Sequence, residues 1–180
     1  MLLVVDNGSI YSKQLTDFLS KKSILFEKQS PQFLNLNLLS NYDSFILSGR
    51  RKNEKKINEI NSKIIRHCIK NDNKLLGICY GAEILALTLG GTIKKTLHPQ
   101  KGIESIQTLR DNSLCSDSLD VFESHSYEIS KLPSVLVTLA ESKNCKNEII
   151  QYEKKPIFGT QFHPEMSQDG NNLIEKFCSL

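Results

Sequence analysis

Cys79 has the sequence surroundings of a nucleophile. It lies between Gly77 and Gly81 in a Gly-x-Cys-x-Gly pattern, after the short apolar run 74–78 and directly before an apolar helical segment. Small residues on both sides allow a sharp bend, so the pattern predicts a strand, a tight turn and a helix with the cysteine at the apex. At the start of a helix, unpaired N–H groups and the helix dipole favour a thiolate. The alternative is a buried structural cysteine at a strand end.

A thiolate nucleophile needs a base, and the base is usually held by a third group. Of the four histidines, His163 stands out because it lies in the segment G-T-Q-F-H-P-E (159–165), just after an apolar strand. Its spacing from Glu165 lets that carboxylate turn back toward the imidazole and hold its tautomer. The alternative is a loop histidine with a nearby surface glutamate. A metal site is a weaker interpretation, because two ligands alone do not make one.

The first half of the chain alternates between apolar strands and amphipathic helices. Such alternation predicts crossover units on a parallel sheet, which is an α/β fold. Residues 32–41, rich in Asn and Leu, are expected to form a short helix or a loop. The predicted strands are 2–5, 23–27, 43–48 and 74–78, and the predicted helices are about 10–22, 54–71 and the segment after Cys79.

After Gly90 and Gly91 the pattern changes to short strand candidates separated by turn residues. This half is expected to add antiparallel or mixed strands to the edge of the sheet. No repeat or low-complexity linker interrupts the chain, so we expect one domain over 1–180. The strand candidates are 92–95, 102–109, 119–123, 135–140, 148–152 and 156–162, followed by a helix over 170–180.

Composition excludes several function classes. The net charge of +3 over 180 residues gives no reason to expect nucleic acid as a partner. No apolar run approaches the roughly 20 residues needed to cross a membrane, and the first residues do not have the pattern of a signal peptide. The five cysteines are odd in number and contain no C-x-x-C pair. They argue against a disulfide framework or a structural zinc site, and they favour a reducing cytoplasm.

Together the segments 77–81 and 159–165, about 80 residues apart, closely resemble the class I glutamine amidotransferases. The resemblance extends over the whole chain and implies a flavodoxin-like α/β fold. It also implies a Cys-His-Glu triad in which Cys79 attacks the side-chain carboxamide of glutamine. His163 would protonate the departing ammonia and Glu165 would orient His163. Water would then hydrolyse the thioester to glutamate.

The family also implies an oxyanion hole for the tetrahedral intermediate. One donor is expected to be the backbone N–H of Tyr80, directly after the nucleophile. The family's second donor comes from a Gly-Gly-Pro turn, where this chain has Ser48-Gly49-Arg50-Arg51. The N–H of Gly49 or Arg50 could still serve. A left-handed conformation at Arg50 would cost about 1–2 kcal/mol.

The substrate-binding residues expected from the resemblance are Glu83, Gly81, His125, Ser126 and Tyr127. Glu83 replaces the glutamine of the family pattern Cys-x-Gly-x-Gln, and that glutamine contacts the α-substituents of the substrate. Glu83 lies one helical turn after the cysteine on the same helix face. A carboxylate there could pair with an α-ammonium group, would repel an α-carboxylate, and would tend to raise the pKa of the cysteine.

Further segments bear on the partner. The opening 6–9 (D-N-G-S) and the segment 124–126 (S-H-S) resemble the glutaminase subunit of two-subunit GMP synthases. We favour this resemblance. The segment 125–127 (H-S-Y) also resembles the His-Ser-Leu of the anthranilate and aminodeoxychorismate synthase glutaminases, whose backbone holds the substrate carboxylate.

The favoured resemblance implies that the chain supplies ammonia to an ATP-pyrophosphatase type of synthetase that amidates XMP to GMP. ATP and Mg²⁺ would bind to that synthetase, with no cofactor in this chain. Two further hypotheses are a stand-alone amidase acting on another small amide, motivated by Glu83 and the Arg50-Arg51 turn, and a non-catalytic binding module.

Overall fold

The computed structural model describes residues 1–50 and 52–180. Over these residues it has four α-helices: α1 (Ser12–Lys21), α2 (Lys55–Asn71), α3 (Tyr80–Thr88) and α4 (Gln168–Ser179). Its strands are β1 (Leu2–Val5), β2 (Phe26–Gln29), β3 (Ser44–Leu47), β4 (Lys74–Ile78), β5 (Thr92–Thr108), β6 (Ser118–Lys131), β7 (Leu136–Glu141), β8 (Ile149–Tyr152) and β9 (Ile157–Thr160).

All strands of the described residues belong to one sheet, in the order β2-β1-β3-β4-β9-β8-β7-β5-β6. The first five strands in this order are parallel to one another. The order β2-β1-β3-β4-β9 is that of flavodoxin-like doubly wound sheets. The remaining strands are antiparallel and extend the sheet beyond β9. The predicted α/β architecture, parallel at first and extended by antiparallel strands, is therefore confirmed.

Alternate residues of the parallel strands pack into two cores, one on each face of the sheet. Leu3 and Val5 of β1 belong to the core covered by α2 and α3, whereas Leu2 and Val4 belong to the core covered by α1 and α4. All four residues of β1 are buried. A strand covered by helices on both faces reads as a continuous apolar run, which explains why the sequence shows no alternation there.

The predicted strand 23–27 is displaced, since β2 is Phe26–Gln29. The reason is the end of α1, where Ser23 has a positive φ of 55° and the Ile24 N–H donates to the Leu19 carbonyl. Residues 23–25 therefore close the helix before the strand begins. The segment 32–41, expected as a short helix or loop, contributes to the 3₁₀ helices Pro31–Phe33 and Leu36–Asn41.

The second half contains longer strands than predicted. The candidates 92–95 and 102–109 are parts of the single strand β5, and the candidate 119–123 is the first part of β6, which continues to Lys131. The two strands pair along most of their length, with a register irregularity between Lys95 and Gln100. Among the described residues, the register gives 96–99 no partner, and the pairs lie on both sides of them. This long-range pairing keeps the segment within one strand, although its local pattern gives no strand signal.

The glycines around Cys79 permit a close approach of α3 to the sheet. A Cβ atom on Gly81 would lie 2.3 Å from the Leu47 carbonyl oxygen, and one on Gly77 would lie 2.4 Å from the Gly81 carbonyl carbon. Real Cβ atoms do not approach backbone atoms so closely. The helix can begin directly at the carboxyl ends of β3 and β4 only because both positions lack a side chain.

Replacing Gly81 with alanine should destabilise the fold, although alanine is the better helix former. We expect Gly81→Ala to lower the free energy of unfolding by about 1–3 kcal/mol, because the methyl group collides with backbone that has no room to move. Urea unfolding followed by circular dichroism measures this. The exposed Ser20→Ala in α1 should change the same quantity by less than about 0.5 kcal/mol. Equal stabilities of Gly81→Ala and the parent would contradict the packing argument.

Candidate active site

Cys79 sits at the strained turn that the sequence predicts. It has φ 50° and ψ −101°, an unusual conformation for a residue with a side chain, and it directly precedes α3. Its backbone N–H donates to the Thr160 carbonyl at 2.7 Å. This bond ties the turn after β4 to the end of β9, so the two strand ends are held together at the edge of the sheet where ligands of α/β proteins bind.

His163 follows β9 and is therefore placed beside the cysteine turn. Its Nδ1 lies 2.9 Å from Oε1 of Glu165, and both side chains are buried. Nδ1 donates to the carboxylate, which leaves Nε2 able to accept a proton. The His163 N–H also donates to the Phe122 carbonyl of β6 at 2.9 Å. The base and its orienting group are thus paired as predicted, while their catalytic roles remain predictions.

Two neighbours fix the imidazole ring of His163 from the sides. Tyr11 packs edge-to-face against it, with ring centroids 4.6 Å apart, and the Tyr11 hydroxyl lies 3.1 Å from Oγ of Ser124. On another side, a Cβ atom on Gly49 would lie 2.8 Å from Cε1 of His163. In the sequence, Tyr11 is only one residue of the predicted helix 10–22. No local signal shows that it supports the histidine.

The turn after β3 borders the same site. The buried Asn7 anchors it, because its N–H donates to Oγ of Ser48 and its amide donates to the Ser48 carbonyl. In the described part of the chain, the non-glycine residues with positive φ do not include Arg50. The cost considered for a left-handed conformation there does not arise. The oxyanion role of Gly49 or Arg50 stays a prediction, and Arg51 lies outside the described residues.

A cavity of about 460 Å³ opens beside the cysteine. It is within the roughly 300–1,000 Å³ of small-molecule sites. Gly81 does not line the cavity. It packs closely against the Leu47 carbonyl. The cavity brings together most of the residues predicted to bind substrate and adds polar residues of β5: its lining is Arg50, Asn53, Cys79, Tyr80, Glu83, Pro99, Gln100, Lys101, Ser124, His125, Ser126 and Tyr127.

The family model described as "Glutamine amidotransferase class-I" matches residues 3–179. The chain belongs to this family. The identification made from the cysteine and histidine motifs is confirmed.

Several proteins are similar to this chain over nearly its whole length. The glutamine-hydrolyzing A-type subunit of GMP synthase from Thermoplasma acidophilum is 26% identical over 185 residues, which is 99% of this chain and 92% of that protein. The protein of the same name from Methanocaldococcus jannaschii is 26% identical over 192 residues, 100% of this chain and 97% of its own. This chain also resembles the crystal structure of a T. acidophilum protein assigned to the same GMP synthase component, with a TM-score of 0.87 and 25% identity. The match covers 99% of this chain and 92% of that one.

Two other features, a membrane-spanning helix and a metal-binding group of side chains, are absent from the described residues, 1–50 and 52–180. These residues contain no helix that is long and apolar enough to cross a membrane. Within the same ranges, no group of three or more His, Cys, Asp and Glu side chains has an arrangement that could hold a metal ion.

The surroundings of the Cys79 sulfur favour the neutral thiol over the thiolate. Burial raises the pKa of Cys79 well above its ordinary value, and the charges of Glu83 and Glu165 raise it further. A hydrogen bond from the Tyr80 backbone N–H acts in the opposite direction and lowers this pKa. The oxyanion role of that N–H stays a prediction. Attack on a substrate therefore has to be coupled to transfer of the thiol proton to a base.

Glu83 is held by a buried amide that sequence analysis did not identify. Nε2 of Gln161 lies 3.4 Å from Oε1 of Glu83 and 3.2 Å from the Tyr127 carbonyl. Burial raises the pKa of Glu83, against the opposing effects of Gln161, Arg50 and His125. Gln161 lies in the same segment as His163, but nothing in the sequence shows that its side chain turns toward α3.

His125 belongs to a buried group of ionisable side chains behind the cavity. Its Nδ1 donates to the Tyr127 carbonyl at 2.8 Å, and its Nε2 lies 2.9 Å from Oε2 of Glu123. Burial opposes protonation of His125, but the Glu123 carboxylate and the Tyr127 carbonyl outweigh it, so its pKa is raised. Glu148 lies close to Glu123, and burial together with that charge raises its pKa strongly. Neither glutamate has a sequence signal of function.

Removing the charge of Glu83 should make the cysteine more reactive. We expect Glu83→Gln to lower the pKa of Cys79. Among the charged neighbours, Glu83 raises this pKa most, and the substitution removes its charge. The pH profile of iodoacetamide alkylation at Cys79, measured by mass spectrometry of its peptide, should move to lower pH by up to about one unit. Glu54→Gln, an exposed change outside this cavity, should leave the profile in place. A profile unmoved by Glu83→Gln would contradict the electrostatic assignment.

The buried Glu148 should make the fold less stable as pH rises. With a raised pKa, the folded state keeps a proton that an unfolded glutamate loses above about pH 4.3, so stability falls with increasing pH in that window. Glu148→Gln should flatten this dependence, by up to about 1.4 kcal/mol per pH unit. Urea unfolding at several pH values measures it, with the exposed Glu153→Gln as control. Parallel pH curves for Glu148→Gln and the parent would show that the side chain titrates normally.

Proposed function

We propose that this amidotransferase hydrolyses glutamine to glutamate and ammonia and supplies the ammonia to a synthetase that converts XMP to GMP. One observation carries the choice of acceptor: the chain matches, over nearly the full length of both, proteins named as the glutamine-hydrolyzing component of GMP synthase. The chemistry of the first step is supported by the Cys79 turn and the buried His163–Glu165 pair beside it.

In the first half of the proposed reaction, Nε2 of His163 takes the proton of the Cys79 thiol as sulfur attacks the carboxamide carbon. The carbonyl oxygen becomes an oxyanion, which accepts hydrogen bonds from the Tyr80 N–H and from the N–H of Gly49 or Arg50. His163 then returns the proton to the nitrogen as the C–N bond breaks. Ammonia leaves, and the acyl group remains on the sulfur as a thioester.

In the second half, His163 accepts a proton from water, whose oxygen attacks the thioester carbon. Collapse of the second tetrahedral intermediate breaks the C–S bond, and the proton held by His163 returns to the sulfur. Glu165 holds Nδ1–H throughout, so that Nε2 faces the reacting atoms in each step. The products are glutamate and one ammonia for each water consumed.

The partner in this proposal is an ATP-dependent synthetase, and glutamine is the substrate. ATP and Mg²⁺ belong to the synthetase, and the cytoplasm is the proposed location. The ammonia released at Cys79 has to reach the second active site without loss to water. Docking of the two proteins would supply that protection.

Glu83 favours one second candidate, an amidase that acts alone on another small amide. The carboxylate lines the cavity at the position where the family commonly has glutamine. A panel of primary amides assayed with the purified protein, alone and with the synthetase, separates the candidates. Turnover of other amides without the synthetase would favour the stand-alone enzyme, whereas strict dependence on glutamine would remove it.

The proposed function predicts glutamine-dependent GMP formation when the chain is mixed with its cognate synthetase, XMP, ATP and Mg²⁺. Cys79→Ala and His163→Ala should each lower the glutamine-dependent rate by at least about 1,000-fold, because they remove the nucleophile or its base. The ammonia-dependent rate should stay unchanged.

The matched control is His98→Ala, an exposed histidine that does not line the cavity, and its rate with glutamine should equal that of the parent. GMP formation is followed by chromatography. A parent mixture that makes GMP from ammonia but never from glutamine would overturn the proposal.

A further inference from the structure

We propose that the side chains of Arg50 and Glu83 together select a substrate with a free amino-acid end: Arg50 binds its α-carboxylate and Glu83 its α-ammonium group. The inference rests on the proposed function, since it deepens the account of the same cavity. It concerns two of the positions where this chain departs from the family patterns Gly-Gly-Pro and Cys-x-Gly-x-Gln.

The guanidinium of Arg50 is fixed at the cavity wall. Its Cζ lies 3.9 Å from the centroid of the Tyr80 ring, and its Nη1 donates to Oδ1 of Asn53 and to Oδ1 of Asn58, each at 2.8 Å. The Tyr80 hydroxyl donates to the same Asn58 oxygen at 2.8 Å. A cation held by stacking and by two amides is positioned before any ligand arrives, so little side-chain entropy is lost on binding.

Part of the Arg50 donor set is unused. Its side-chain hydrogen bonds involve Nη1, and over residues 1–50 and 52–180 neither Nε nor Nη2 has an acceptor. A guanidinium presents its N–H groups as a planar fork that matches the two oxygens of a carboxylate. The residue lines the cavity that also contains the Cys79 sulfur. It can therefore bind the carboxylate of an amide substrate while the far end of that substrate reaches the thiol.

Glu83 supplies the opposite charge from another wall of the cavity. Its Oε1 accepts from Gln161, and the residue is only 6% exposed. No ion pair within 4.0 Å joins it to Arg50 or to another cation of the described chain. Arg50 nevertheless acts on its titration, lowering its pKa. The two charges are near enough to interact and remain unpaired with each other.

A cavity with both Arg50 and Glu83 should bind a zwitterionic substrate better than a substrate that carries only one of the two charges. A carboxylate substrate without an ammonium group would face the repulsion of Glu83, and an amine without a carboxylate would face that of Arg50. Lys101 is a competing cation on the lining, but it is exposed. A flexible, hydrated ammonium gives less geometric selection than a fixed guanidinium, so we assign the carboxylate to Arg50.

The test uses a diazoketone analogue of glutamine, in which a diazomethyl ketone replaces the carboxamide. The Cys79 sulfur bonds to the diazo carbon, that carbon takes the thiol proton, and N₂ leaves. Two further probes are its methyl ester, which lacks the α-carboxylate charge, and its N-acetyl derivative, which lacks the α-ammonium charge. The measurement is kinact/KI at Cys79 for each probe. A preference is kinact/KI for the unmodified probe divided by kinact/KI for a blocked probe. A change in the reactivity of the thiol affects both values equally and cancels in this ratio.

The parent should prefer the unmodified probe over each blocked probe by roughly 10- to 100-fold, as expected for hydrogen bonds to charged groups. Arg50→Met should reduce the preference over the ester to near one and leave the preference over the N-acetyl probe. Glu83→Gln should do the reverse. Lys52→Met, a nearby cation that does not line this cavity, should leave both preferences intact.

Each other outcome is decisive. Retention of the ester preference in Arg50→Met, or its loss in Lys101→Met instead, would overturn the assignment while leaving the proposed function in place. If Arg50→Met does not fold, Arg50→Lys decides, because loss of the fork should lower the ester preference at least several-fold. A parent that shows neither preference, although iodoacetamide labels Cys79, would overturn the proposed function and the inference with it.

Discussion

The site depends on the hydrogen bond from the Cys79 N–H to the Thr160 carbonyl, which joins the ends of β4 and β9. Strands β4 and β9 are neighbours in the parallel sheet, so Cys79 after one strand and His163 after the other lie at the same edge without a long loop. The positive φ at Cys79 and the missing side chains at Gly77 and Gly81 permit the turn that makes this bond. A strained residue persists only where its surroundings hold it, and here the parallel sheet provides that support.

Acidic groups surround the Cys79 thiol and raise its pKa, whereas the start of a helix lowers the pKa of a thiol. The N-terminus of α3 favours a thiolate, but burial and the glutamates around Cys79 favour the thiol, and the second effect is larger. A resting neutral thiol resists oxidation and unselective alkylation, because the thiolate is the reactive form. In the proposed mechanism, reactivity then depends on a bound ligand and on proton transfer to His163.

The fold class, the Cys79 turn and the pairing of His163 with Glu165 were predictable because all three depend on local patterns. Buried parallel strands appear as apolar runs, and the two short motifs place Cys79 and His163 at strand ends. The rest of the site depends on long-range pairing. Tyr11, Gln161 and Glu123 act through contacts set by the length of β6 and by the direction in which each side chain turns, and neither is encoded by local periodicity. The merged β5 has the same origin, since tertiary pairing overrides local preference. The displaced β2 instead follows from the turn at Ser23 that closes α1.

The contacts that complete the site join distant parts of the chain. Tyr11 meets Ser124 across 113 positions of sequence, and Glu83 meets Gln161 across 78. Contacts of such separation close late, after the loops between them have lost their entropy. A growing chain on the ribosome therefore carries the nucleophile long before it carries the base. Until β9 and the residues after it have folded against β4, the thiol lacks the His163–Glu165 pair, so the unfinished polypeptide holds only part of the site.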